Sequence, residues 1–73
     1  MAERRLANHL KDVRIAQGLT QANLAALIGV SRKTINTIEN CVFVPSTVLA
    51  LALAACLDKR VEEIFYLEPE RKR

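Results

Sequence analysis

Apolar residues recur along this chain at helical intervals almost from end to end. Leu6, Leu10 and Val13 fall at i, i+4, i+7, which predicts a first helix beginning between Glu3 and Ala7 and closing near Gln17-Gly18. Leu24, Leu27 and Ile28, at i, i+3, i+4 after the N-capping Thr20, predict a second helix with one apolar face. Gly29 stops it, because glycine tolerates positive φ at a helix end, and Val30 plugs the corner. Ser31 caps a third helix, which Ile35 and Ile38 bury on their i, i+3 edge. Val42-Phe43-Val44 reads as an apolar linker packed across the bundle, and Pro45-Ser46 opens helix four. From Thr47 to Leu57 there is no charge. Leu49, Leu53, Ala54 and Leu57 face the core, while Val48, Ala52 and Ala55 form a second stripe, either covered by another protomer or left as mildly apolar surface. Val61, Ile64, Phe65 and Leu67 supply a short last helix and a brief extended segment. The expected fold is all-α: one compact five-helix domain at 1–67, centred on the helix pair at 20–40, with a basic tail at 68–73.

The outward face of the third helix carries the chemistry. Arg32, Lys33, Asn36 and Thr37 point away from Ile35 and Ile38 on a short helix propped up by another. Arginine and lysine donate to guanine O6 and N7, asparagine can pair bidentately with adenine, and threonine brings a hydroxyl and a methyl. A polar helix face alone is ordinarily just solvated. Joined to two caps and a glycine turn, it has the form of a helix-turn-helix that reads a DNA major groove. Ser31 and Thr34 suit phosphate or sugar contacts. Gln21 sits at the first turn of the second helix, where it either meets a phosphate at the free backbone N–H groups or simply helps to cap.

Charge supports that end of the chain. Net charge is +3, and residues 1–40 hold Arg4, Arg5, Lys11, Arg14, Arg32 and Lys33 against Glu3, Asp12 and Glu39, whereas residues 41–73 balance. With no Trp, one Tyr and two Phe, the stacking platforms of single-strand and RNA binders are missing. Two cysteines and one histidine make neither a zinc site nor a disulfide framework. No paired carboxylates or base-linked thiols point to an enzyme, and no cofactor or metal is expected. No stretch reads as a signal peptide or a membrane span, so the expected location is the cytoplasm, at the nucleoid when bound to DNA.

The run from Leu10 and Arg14 through Gly18-Leu19-Thr20-Gln21, Leu24-Ala25, Gly29-Val30-Ser31, Ile35, Ile38-Glu39, Pro45-Ser46 and Leu49 resembles the Cro and phage-repressor type of regulator, the Xre family. The likeness covers roughly Asn8 to Leu67 and is nearest to the short, free-standing dimeric members. It implies a lambda-repressor-like fold and a structural ion pair between Arg14 and Glu39. It implies backbone contacts for Gln21, which in the family also braces the residue here at Arg32, and for Asn40. It also places a protomer contact in the C-terminal region, at Val61, Ile64, Phe65 and Leu67; with Val48 and Ala52 from the second stripe of helix four, a face that relatives tend to make polar, these form the expected dimer surface. Two positions depart from the family: Cys41 stands where glycine is common, and Asp58-Lys59-Arg60 replaces a turn that often begins with glycine. A left-handed backbone at Cys41 would cost about 1 kcal/mol, and a redox role for that thiol is a minor alternative.

The sequence therefore points to a transcriptional regulator binding double-stranded DNA, in the simplest case a repressor acting as a homodimer on a palindromic operator. The rival is a helical protein-interaction module or antitoxin-type partner, gripping another protein through helix four and the C-terminal segment.

Overall fold

The computed structural model describes residues 4–69; the basic run Arg71-Lys72-Arg73 lies outside them. The order of elements is β1 (Leu6–Asn8), α1 (Leu10–Ala16), α2 (Gln21–Ile28), α3 (Arg32–Glu39), α4 (Thr47–Cys56), α5 (Val61–Ile64) and β2 (Phe65–Leu67). Five helices thus surround one core, as the periodicity predicts. A two-stranded ribbon is added where the sequence reading continues helix one.

Helix α1 starts at Leu10 rather than between Glu3 and Ala7 because residues 6–8 have another partner. Leu6, Ala7 and Asn8 pair antiparallel with Leu67, Tyr66 and Phe65, and the His9 N–H donates to Ile64 O at 2.7 Å. Asn8 ends the strand and begins the helix together. Its Oδ1 accepts from the Leu10 N–H at 3.0 Å, and its Nδ2 donates to Ile38 O at 2.9 Å, tying the ribbon to the end of α3. His9 is exposed and stacks on Tyr66 with ring centroids 4.7 Å apart, a surface role.

The helix ends follow their local chemistry. Thr20 Oγ1 accepts from the Asn23 N–H, and Asn23 Oδ1 accepts from the Thr20 N–H, closing a reciprocal cap on α2. Gly29 has φ 84° and donates to Ala25 O at 2.8 Å. No atom crowds a Cβ there, so a substitution would be opposed by backbone conformation rather than by a clash. Ser31 and Ser46 cap α3 and α4.

Seven side chains, Leu10, Leu24, Ile35, Ile38, Leu53, Leu57 and Ile64, are fully buried. Each contributes roughly 1.5–3 kcal/mol of apolar transfer. Three expectations change. The buried edge of α2 is Leu24, Ala25 and Ile28, while Leu27 is 63% exposed, because crossing over α3 turns the i, i+1, i+4 edge inward. Val42, Phe43 and Val44 are exposed instead of crossing the bundle: Val42 and Phe43 donate their N–H groups to Thr37 O, which holds the loop at the end of α3. Ile64 and Phe65 cannot form a dimer surface, since α5 and the first residue of β2 turn them into this core, at 0% and 8% exposure.

Both family departures take left-handed backbone, Cys41 at φ 60° and Asp58 at φ 55°. The turns therefore keep a glycine-like shape without glycine. After Asp58, the Glu63 carboxylate accepts from the Arg60 N–H at 2.8 Å and caps α5. That bond holds the Glu63 carboxyl below its usual range, with minor help from Lys59 and Arg60.

Candidate nucleic-acid interface

The interface is built outward from one buried charge pair. Arg14, on α1, is 7% exposed. Its Nε donates to Glu39 Oε2 at 2.6 Å and its Nη2 to Oε1 at 3.1 Å, a bidentate fork that joins α1 to the end of α3. Its Nη1 donates to Leu19 O at 2.8 Å, which fixes the loop entering α2. The bond to Glu39 raises the guanidinium pKa above its already high value against the opposing effect of burial, so Arg14 stays charged. Both side chains are enclosed, which places the pair in the frame of the domain rather than on its surface.

Gln21 extends this frame to the surface. Its Nε2 donates to Glu39 Oε1 at 3.1 Å and to Asn36 Oδ1 at 3.3 Å. The brace implied by the family resemblance therefore falls on Asn36, one turn into α3, and no hydrogen bond joins Gln21 to Arg32 among the described residues. Asn40 Nδ2 reaches the same Asn36 oxygen at 3.0 Å.

Along α3, Arg32, Lys33 and Asn36 are exposed. Arg32 and Lys33 make no side-chain hydrogen bond or ion pair among the described residues, and with Gln21 and Asn36 they line an open cleft of about 260 Å³. The Thr37 hydroxyl donates to Thr34 O at 3.0 Å, so the side chain can accept a hydrogen bond or offer its methyl, with no donor to spare. Ser31 Oγ and Thr34 Oγ1 are 3.0 Å apart at the helix start. Beside them, Lys33, Thr37, Val42 and Phe43 border a second depression of about 320 Å³ with a largely apolar lining. The sequence reading does not include Val42 and Phe43 in this surface. A three-residue apolar run between a left-handed Cys41 and Pro45 was the available signal, since it is too short to form an element with a buried side of its own. Cys41 and Cys56 are both free and exposed, and Asn8 Nδ2 lies 3.7 Å from Cys41 Sγ.

The remaining expected residues lie off the helix pair, on α4, α5 and β2. Val48 on α4 is 78% exposed, Ala52 and Val61 are half-buried, and Leu67 is exposed at the ribbon end. Leu51, 54% exposed, continues the stripe from Val48 toward Ala55, one turn along α4. No helix among the described residues is long and apolar enough to cross a membrane.

Comparison with known proteins agrees with this geometry. A helix-turn-helix family model, HTH_3, matches residues 10–64. An uncharacterized HTH-type transcriptional regulator of Bacillus subtilis, YgzD, is 35% identical over 65 residues, which are 89% of this chain and 98% of the relative. One from Methanocaldococcus jannaschii is 40% identical over 65 residues, with the same coverage. Among solved structures, the restriction-modification controller protein C.AhdI of Aeromonas hydrophila is similar at 37% identity and a TM-score of 0.70, over 74% of this chain and 78% of that one. A Bacteroides fragilis structure at 23% identity and a TM-score of 0.77, over 84% of this chain and 98% of that one, shows the fold alone.

Proposed function

The chain belongs to the HTH_3 family of helix-turn-helix DNA-binding transcriptional regulators, and from that premise we propose that it acts as a homodimeric repressor which occupies a palindromic operator and occludes a promoter. The observation that carries the DNA contact is the first turn of α3. Arg32 and Lys33 stand there exposed, while Ile35 and Ile38 on the opposite edge are fully buried and hold the helix in one orientation. Such a helix can enter a major groove without rearranging. Arg32, Lys33, Asn36 and Thr37 then face base edges, Ser31, Thr34 and Asn40 flank them at phosphate and sugar, and Gln21 offers phosphate its backbone N–H at the start of α2.

Dimerisation is supported by the exposed apolar stripe of Val48 and Leu51 on α4, with Leu67 nearby in sequence to the half-buried Val61. Two copies related by a twofold axis would present their α3 helices about 34 Å apart, one turn of the duplex. Fluorescence anisotropy on a selected duplex tests the reading, with random duplex as competitor. Arg32→Ala or Lys33→Ala is expected to weaken specific binding by about 1–3 kcal/mol and to leave unfolding within about 0.5 kcal/mol of the parent. Log affinity should fall with log salt at about −0.9 per phosphate neutralised. Equal, salt-insensitive binding to both duplexes would refute it.

A further inference from the structure

A side-chain amide presents oxygen on one side and NH₂ on the other, in nearly the same shape, and its neighbours decide which faces out. At this interface the decision can be traced from a group with no choice. Arg14 has only donors and the Glu39 carboxylate only acceptors, and the two are paired in the interior. Gln21 can satisfy Glu39 Oε1 only with its NH₂. The second hydrogen of that NH₂ points to Asn36, so the Asn36 atom it meets must be the oxygen. Asn40 donates to the same oxygen. Both lone pairs of Asn36 Oδ1 are then engaged, and the Asn36 NH₂ and the Gln21 Oε1 are the atoms without a protein partner among the described residues.

We infer that the buried Arg14–Glu39 pair sets the hydrogen-bond polarity of the reading surface, so that Asn36 meets the major groove as a donor only and Gln21 as an acceptor only. The inference rests on the base-reading role proposed above for Asn36 and narrows it. A bidentate pair with adenine needs the asparagine oxygen, which is already held. A donor alone matches guanine O6 and N7 together or thymine O4; adenine offers it only N7, beside an amino group that repels it, and cytosine offers only an amino group. Glu39, Gln21 and Asn40 are on this account positioning residues: they choose the base without touching it.

The test selects duplexes from a randomised library with the full chain and its Asn36→Ala, Gln21→Ala and Asn40→Ala variants. Gln21 and Asn40 lie outside the hydrophobic core, so their loss leaves the folded domain in place. Asn36→Ala should abolish preference at one position per half-site and so locate its base. There the parent should choose guanine or thymine over adenine and cytosine by about tenfold. Phosphate contacts carry no sequence information, so a Gln21 or Asn40 that only held the backbone would lower affinity equally on every duplex. The polarity account instead expects both variants to raise the share of adenine at the Asn36 position severalfold, with other positions unchanged. Adenine or cytosine in the parent motif, or an unaltered preference in Gln21→Ala and Asn40→Ala, overturns the polarity account alone. An unaltered motif in Asn36→Ala overturns the base-reading role beneath it, and the inference with it.

Discussion

The two exposed faces of this domain are made in opposite ways. The α2–α3 face is polar, and its amides are tied by hydrogen bonds through Gln21 to a charge pair in the interior. The α4 face is apolar, with Val48 and Leu51 largely in solvent and no directional contact to fix them. A surface that must discriminate needs groups whose orientation is decided before the partner arrives, because directional bonds lose most when misaligned. A surface that needs only to associate can rely on removing apolar area from water, which has no direction.

Breaking the frame of the polar face should have the largest effect. Arg14→Ala or Glu39→Ala leaves a buried charge without its partner, and each is expected to cost about 3–5 kcal/mol. Urea unfolding should show the loss, and a change under about 1 kcal/mol would mean the pair is not structural. On the apolar face, Val48→Asp with Leu51→Asp should leave the fold intact and weaken self-association by roughly 2–4 kcal/mol, from lost burial and two added charges. Sedimentation equilibrium checks this, and a double variant that associates like the parent would move the protomer contact elsewhere.

Smaller effects come from the turns that border each face. Cys41→Gly, beside the polar face, and Asp58→Gly, after α4, relieve left-handed backbone at the cost of a more flexible unfolded chain. Each should stabilise by about 0.5–1 kcal/mol. A thermal melt that falls instead at Cys41 would show that the contact with Asn8 outweighs the backbone strain, and one that falls at Asp58 would remove strain from the account of that turn. The smallest effect is expected at Glu63. Its carboxyl is lowered from 4.5 by the Arg60 N–H, so its contribution is present above pH 4.5 and fades as pH falls through the lower folded value. The stability difference between parent and Glu63→Gln should therefore shrink on acidification, and a gap that stays constant from neutral pH into acid would remove the cap from the account.

The helix pair was legible in the sequence because its signals are local. Thr20, Gly29 and Ser31 mark the ends of α2 and α3 within a few residues, and Ile35 with Ile38 marks the buried edge. What the sequence could not show depends on distant partners. Three residues such as Leu6–Asn8 carry no strand signature, and only pairing with Phe65–Leu67 makes them one. The apolar character of Ile64, Phe65 and Leu51 was plain, but hydrophobicity does not say which side of a protein a residue faces. Sorting them required the packing of α4 on the core for Leu51 and the turn of α5 into it for Ile64 and Phe65. The expected DNA-facing residues were named by type and spacing, whereas the amide chain from Glu39 to Asn40 joins α2 to α3 and has no counterpart in the linear pattern.

The ribbon of Leu6–Asn8 and Phe65–Leu67 has a mechanical consequence. End segments of a domain ordinarily fray one at a time, each at little cost to the other. Here each strand is the only strand that the other pairs with among the described residues, and Ile64 and Phe65 beside it belong to the core. Peeling either strand therefore frees its partner some sixty residues away and loosens that core edge, so the two ends of the described chain open as one latch.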